Sequence, residues 1–335
     1  MSSVTTPAVA KTADSGNMEQ FGKVAVVMGG WSAEREISLR SGTEVLKALQ
    51  AAGVDAHGVD ATRDVASVLK QAGIDRAFLI LHGRGGEDGH VQGALELAGI
   101  PYTGSDVLGS ALAMDKIRSK QVCTAAGIRT AEWFSVGSVE QAVAAATELG
   151  YPVIVKPVAE GSSIGVSKAM QNEVADAFEL AHQYGDVMME RFIDGIEVTA
   201  AVVGGQALPL VSMVTPNLFY DYDAKYFSDH TEYQCPVDLP EPQQQHIRET
   251  AVRIFRTVGA RDWGRVDFIL DSKGNEYFME LNTAPGMTDH SLVPMAAAAV
   301  GVSFQQLCIS ILEMTLGREV KDSTVNALEL EEQVC

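Results

Sequence analysis

Residues Lys23–Leu49 read KVAVVM, GGWSAERE and ISLRSGTEVLKAL: an apolar run, a glycine pair and a helical period in succession. The first six residues are short, apolar and rich in β-branched side chains, and the glycines bound them, which predicts a buried parallel strand. From Ile37 to Leu49 the apolar positions Leu39, Val45, Leu46 and Leu49 recur at helical spacing, and Gly53 ends the run. Val54–Val59 reads as a second strand, Val65–Gln71 as a short helix, and Ala77–Leu81 (AFLIL) as another buried strand that runs into His82–Gly89 (HGRGGEDG). A helix follows from about Val91 to Leu97. Strands alternating with helices predict a doubly wound α/β domain ending near Ala113.

Beyond that point the pattern changes. Asp115–Ala126 and Glu140–Leu149 read as helices, Val153–Lys156 as a strand, Val174–His182 as a helix and Val187–Phe192 as a strand. Glu160–Val166 is a Gly/Ser-rich loop between two strands. Two helices on an antiparallel sheet is the α+β expectation. From about Glu197 strands dominate, at Val198–Val203, Ala207–Val214, Val266–Leu270 and Glu276–Glu280, with one helix from about Gln243 to Val258. Between them residues 217–232 are polar and aromatic without a period. A long irregular stretch of this kind inside a domain is usually functional. The expected division is a flexible leader (1–20), an N-terminal α/β domain (21–114), a central domain (115–196), a C-terminal domain (197–318) and a flexible acidic tail (319–335).

The 335 residues carry 46% hydrophobic and 21% charged side chains, which is ordinary for a globular protein of two or three domains. The formal net charge of −19 argues against nucleic acid or an anionic membrane as a bulk partner. It leaves room for a local basic cleft. Cys123, Cys235, Cys308 and Cys335 show no CxxC spacing, so neither a zinc site nor a disulfide scaffold is expected, and a reducing cytoplasm fits best. Leu292–Leu312 lacks Asp, Glu, Lys and Arg, but Pro294, Gly301, Ser303 and two glutamines dilute it, so it reads as a buried helix preceded by a loop.

Chemistry is suggested at several positions. Asp267 and the Glu280-Leu281-Asn282 triplet end two neighbouring strands, and alternation puts Glu280 and Asn282 on one face. Arg265 shares the face of Asp267. Hard oxygen donors of this kind suit Mg²⁺ held together with phosphate oxygens. Lys156 closes an apolar strand, where it is either a snorkelling surface lysine or the partner of an anion such as phosphate. Lys116 taken alone is a surface lysine. The Glu160–Val166 loop offers free backbone N–H groups to phosphates, or is a plain hairpin; it is not a Walker A loop. Glu34 stands either where a first-turn glutamate favours the helix dipole or where it binds an ammonium. His82, at the C-terminal end of a parallel strand, reads alone as a core histidine.

Taken together these pieces resemble the D-alanine–D-alanine ligase family, almost without a break from about residue 23 to 316. The stretches are Gly29–Ser38 (GGWSAEREIS), His82–Gly89, Tyr102–Ser105 (YTGS), Met114–Lys116 (MDK), Val155–Pro157 (VKP), Glu160–Gly165 (EGSSIG), Phe219–Tyr226 (FYDYDAKY), Trp263–Asp267 (WGRVD) and Glu280–Ser291 (ELNTAPGMTDHS). The resemblance implies an ATP-grasp fold and ATP-dependent joining of two D-alanines through an acyl phosphate, for peptidoglycan. ATP is implied between the central and C-terminal domains. Lys116 and Lys156 would hold its phosphates beneath the loop of Glu160, Ser162 and Ser163. Glu190 and the backbone near Ile193 would read adenine, Glu197 would bind ribose, and Lys225 would reach the nucleotide from the lid. Asp267, Glu280 and Asn282 would hold two Mg²⁺ (or Mn²⁺) ions. Glu34 would grip the first substrate's ammonium, with His82 nearby. Arg265 and the Gly286 N–H would stabilise the oxyanion, such donors being worth roughly 3–4 kcal/mol each. Ser291, Leu292 and Lys225 would seat the second carboxylate. The 217–232 lid would be latched by Glu34, Ser162 and Tyr226. A homodimer is implied as well.

Departures from the family pattern are small: Trp31 replaces a smaller polar residue, Ala284 a common serine, and Arg191-Phe192 varies. The rivals are a D-alanine–D-lactate ligase, a nucleotide-binding regulator without catalysis, and an NAD oxidoreductase. Lys225-Tyr226 weighs against the first, the full metal and lysine set against the second, and the missing GxGxxG against the third.

Overall fold

The structure, a computed structural model, describes residues 17–214, 232–288 and 291–318. The expected leader up to residue 16, the 217–231 stretch of the lid with Lys225 and Tyr226, and the 319–335 tail lie outside the described residues.

Three parallel strands, β1 (Lys23–Met28), β2 (Asp55–Asp60) and β3 (Arg76–Leu79), form the first sheet in the order β2-β1-β3. Period-2 alternation divides β1 between two cores. Val24, Val26 and Met28 join Phe78 and Ile80 under helix α1 (Arg35–Ala51). Ala25 and Val27 join Ala77, Leu79 and Leu81 under α2 (Val65–Gln71) and α3 (His90–Ala98). Helices thus cover both faces, the doubly wound arrangement expected. In α1 the buried side is Ile37, Ser41, Val45 and Leu49, and Gly42 permits close approach, since a Cβ there would lie 2.5 Å from that of Met28.

The second sheet is antiparallel throughout, in the order β4 (Trp133–Val136), β7 (Val187–Arg191), β5 (Val153–Pro157), β6 (Ser167–Ala169). Helices α6 (Val139–Leu149) and α7 (Val174–His182) cover the face formed by Val153, Val155, Val187 and Met189. The alternating residues Ile154, Lys156 and Glu190 face the other way, into a cleft.

The third sheet runs β11 (Glu232–Gln234), β10 (Val211–Val214), β8 (Gly195–Val203), β12 (Trp263–Asp271), β13 (Glu276–Asn282), with β9 (Gln206–Ala207) beside β8. Val198, Ala200, Val266 and Phe268 lie against α8 (Glu241–Val258). Helices α4 (Val107–Met114) and α5 (Lys116–Ala125) add Ala113 and Cys123 to that core. The expectations missed α4 and β4. Both are short, and α4 leaves Leu108 exposed, so no apolar stripe announces it.

Leu292–Leu312 is two helices rather than one preceded by a loop: α9 (Leu292–Ala298) and α10 (Phe304–Glu313). Gly301 at φ +79° breaks them, and Ser303 with Gln306 forms a capping box that restarts the chain. Val293, Ala297, Leu307 and Ile311 fill the space between the first and third sheets. No helix of the described residues is long and apolar enough to cross a membrane.

Ile311 is fully buried in the core that these helices share with α1 and the third sheet, so Ile311→Ala is expected to cost about 2–5 kcal/mol of stability. Leu97→Ala, on a side chain 91% exposed, should stay within about 0.5 kcal/mol. Denaturant unfolding of the two variants checks this.

Candidate active site

The antiparallel pairing of β12 with β13 sets the floor of the site. Arg265 lies opposite Asn282 and Asp267 opposite Glu280. The register steps between Asp267 and Phe268, which pair with Glu280 and Phe278, so Met279 is left over as a bulge. The bulge lets Phe278 sit in the α8 core while Glu280, two residues on, faces the cleft. Arg265 donates to both oxygens of Asp267 at 2.8 Å, Thr199 Oγ1 donates to Oδ1 at 2.6 Å, and Asn282 Nδ2 donates to Oδ2 at 2.9 Å. Two carboxylates and an amide are thereby brought onto one patch of hard oxygen donors, a set that fits Mg²⁺ shared with phosphate.

Lysines face this patch. Lys116, the first residue of α5, is buried; its Nζ donates to the Glu160 carbonyl at 2.7 Å and lies 3.1 Å from Glu280 Oε2. Burial alone would lower its pKa, but Glu280, supported by Glu34 and Glu190, outweighs this and raises it. Lys156 and Lys120 reach one oxygen of buried Glu190 at 3.0 and 3.1 Å. Burial opposes the charge of Glu190, yet the two lysines hold its carboxyl below the usual range. For Lys120 burial wins over the attraction of Glu190, Lys156 adds repulsion, and the pKa falls to about 8. Lys120 escaped the sequence reading. A lysine in the middle of a helix carries no pattern that marks it as buried.

The cleft between the second and third sheets encloses about 1540 Å³, measured out to solvent. Lys116, Lys156, Glu160, Ser162, Ser163, Glu190, Ile193, Glu197, Arg265, Asp267 and Glu280 all line it, so the described residues expected around a nucleotide are brought together. In its covering loop Ser162 and Ser163 adopt φ of 51° and 58°, the left-handed region that non-glycine residues seldom occupy. Ser162 donates a short hydrogen bond to Glu34. Gly161 allows the approach, because a Cβ there would stand 2.8 Å from Glu34 Oε2. Arg84 Nε, from the loop after β3, reaches Glu160 Oε1 at 2.8 Å and ties the same loop from outside.

A second, smaller pocket adjoins, lined by Glu34, His82, Glu87, Arg265, Asn282, Gly286, Ser291 and Leu292 among others. Ser38 Oγ binds Gly29 N and the Ile80 carbonyl, at 2.8 and 2.7 Å, and so holds the turn that presents Glu34. Burial lowers the pKa of His82, with Glu34 pulling the other way. Its buried Nε2 has no hydrogen-bond partner among the described residues. Gly286 comes close to Ser291 Oγ, which accepts from Thr288 N at 2.8 Å. Glu87 was quoted inside its motif but not singled out; it accepts from Gly83 N at 2.7 Å and Ala284 N at 3.2 Å and so joins two loops of the pocket. Burial, with Glu34 beside it, pushes its carboxyl up to about 8. Gly161, Ser162, Arg265 and Glu280 line both spaces, so the two meet beside the carboxylates of Asp267 and Glu280.

With this geometry in view, comparison with known proteins is decisive. The family profile described as D-ala D-ala ligase C-terminus matches residues 122–313, and that described as D-ala D-ala ligase N-terminus matches 62–105. The chain belongs to the D-alanine–D-alanine ligase family. It is 54% identical over 294 residues to the D-alanine–D-alanine ligase of Nitrosospira multiformis, covering 87% of this chain and 96% of that protein. It is 52% identical over 300 residues to that of Stutzerimonas stutzeri, covering 89% and 96%. The solved Bacillus anthracis D-alanine–D-alanine ligase complexed with ATP superposes with a TM-score of 0.76 at 32% identity, over 88% of this chain and 96% of that one. The ATP-grasp fold of the family is therefore the fold of this chain.

A carboxyl with a higher pKa in the folded than in the unfolded protein contributes stability below the unfolded value of 4.5 and loses it as pH rises toward the folded value of about 8. Glu87→Gln removes that titration. The difference in thermal midpoint, variant minus wild type, should therefore grow between pH 5 and pH 8, followed by calorimetry; a pH-independent difference contradicts the assignment.

Proposed function

We propose that this chain joins two D-alanines into D-alanyl-D-alanine at the expense of ATP, through an acyl phosphate, to supply peptidoglycan synthesis. The observation that carries the reading is the wall shared between the two pockets. A space for a nucleotide and a space for small zwitterions meet at Arg265, Glu280 and the Ser162 loop. The names of the relatives, and ATP in the Bacillus anthracis ligase, support it.

In this reading Lys116 and Lys156 neutralise the phosphates and the Glu160, Ser162 and Ser163 loop closes over them. The backbone near Ile193 and Glu190 meet adenine, and Glu197 meets ribose. Asp267, Glu280 and Asn282 hold two Mg²⁺ or Mn²⁺ ions, which supply charge neutralisation at the transferring phosphoryl group. Glu34 takes the first D-alanine's ammonium beside His82. Its carboxylate oxygen attacks the γ-phosphorus, and the bond from that phosphorus to ADP breaks. The amine of the second D-alanine, whose carboxylate rests on Ser291, Leu292 and Lys225, then attacks the carbonyl carbon. Arg265 and the Gly286 N–H receive the developing oxyanion, and phosphate leaves as the amide forms. The 217–232 lid, latched through Glu34, Ser162 and Tyr226, keeps water from the acyl phosphate. A cytoplasmic homodimer belongs to the same reading. The few cysteines without CxxC spacing support the compartment, and family membership supports the dimer.

D-alanine should drive ADP and phosphate release from ATP and L-alanine should not; release indifferent to D-alanine would sink the reading. With D-alanine and D-lactate together at neutral pH, amide should dominate in the product chromatogram, and mainly depsipeptide would identify the ester-forming relative instead. Glu280→Gln should lower turnover by more than about a hundredfold and blunt its Mg²⁺ dependence. Lys225→Ala should raise the KM of the second D-alanine by more than it raises that of ATP.

A further inference from the structure

Lys120 has no part in the reaction as drawn, yet it is the most enclosed charge in the cleft wall, with its side chain 0% exposed. It lies one helical turn after Lys116 on α5. Its ammonium donates to the Thr130 hydroxyl and to the Phe278 carbonyl at 3.0 Å, and pairs as a counter-ion with Glu190 Oε1 at 3.1 Å. These partners come from the link before β4, from β13, and from β7. Thr130 Oγ1 donates to the Phe278 carbonyl at 3.0 Å and Phe278 N to the Arg129 carbonyl at 2.9 Å, so the link itself grips β13 two residues before Glu280.

A staple of this kind needs no charge. Burying an ammonium is costly, and a well-fitting apolar side chain serves stability as well or better. The charge has a use in the oxygen that Lys120 shares. Lys156 Nζ lies 3.0 Å from the same Glu190 Oε1 and faces the nucleotide cleft. If Glu190 had Lys156 as its only cation, phosphate and carboxylate would compete for one lysine, and a phosphate that won would leave a bare buried carboxylate.

We infer that Lys120 is a positioning residue for ATP: it keeps Glu190 paired, so that Lys156 is released to the phosphates, and it fixes β13, which carries Glu280 and Asn282, against the central sheet. The inference rests on the proposed reading of the cleft as an ATP site.

The test is a double-mutant cycle in the full chain, with ATP affinity measured by calorimetry and KM measured separately for ATP and D-alanine. Lys120→Met should weaken ATP by about tenfold to a hundredfold with the KM for D-alanine nearly unchanged, as expected for one partner removed from a buried charge pair. Glu190→Gln alone should also weaken ATP, because Glu190 meets adenine in the same reading, but the two losses should be clearly less than multiplicative in the double variant, because Lys120 acts through that carboxylate. Should the Met variant not fold, Lys120→Gln, which keeps a donor but no charge, reads the same cycle. Wild-type ATP affinity in either folded variant, losses that multiply independently in the double variant, or a loss confined to D-alanine would each overturn the inference. Failure of the ATP reading itself is distinguishable, because it appears in the wild type as absent nucleotide binding, and it removes the inference with it.

Discussion

Everything in the site hangs on the register between β12 and β13. Once Asp267 is opposite Glu280 and Arg265 opposite Asn282, the oxygen donors and the guanidinium fall on one patch. A slip of one residue in β13 would turn Glu280 and Asn282 into the α8 core, where the carboxylate could not be solvated. The bulge at Met279 reconciles two demands on one short strand: an apolar Phe278 for the core and a carboxylate at Glu280 for the cleft.

The second constraint is charge. The whole chain is acidic, yet Lys116, Lys120, Lys156 and Arg265 converge within one cleft. Each is matched by a carboxylate, Lys116 by Glu280, the other two lysines by Glu190, and Arg265 by Asp267. Each pairing offsets part of the desolvation penalty that a lone buried charge would carry. The smaller pocket uses the opposite device. Glu34 and Glu87 stand together among mostly polar walls, and burial, reinforced by the charge of Glu34, pushes the Glu87 carboxyl up to about 8.

Much of this was legible in the chain. Val65–Gln71 and Val174–His182 were read with their observed limits, because their apolar period is clean and their flanks are polar. KVAVVM announced a strand buried on both faces, and two independent cores do meet it. The convergence of Asp267, Glu280 and Asn282 was legible because strand alternation and a short ExN spacing constrain side-chain direction without any long-range information. What stayed hidden was decided by distant partners. Lys120 takes its acceptors from Glu190 and Phe278, and Glu87 one of its donors from Ala284, none of them near in sequence. The break at Gly301 went unread because an uncharged stretch of that length masks a capping box inside it. Helix α4 went unread because its apolar Val107 and Leu108 stay exposed and its apolar residues do not form a stripe.

The most direct measurement follows the substrate's own oxygen. D-alanine labelled with ¹⁸O in its carboxylate is turned over with ATP and Mg²⁺, and the released phosphate is examined by mass spectrometry. If the carboxylate attacks the γ-phosphorus across the patch of Asp267, Glu280 and Asn282, each phosphate carries one labelled oxygen from the amino acid. Phosphate released without label, at the same rate as dipeptide appears, would mean that no acyl phosphate forms in this cleft, and the account of its geometry would fall.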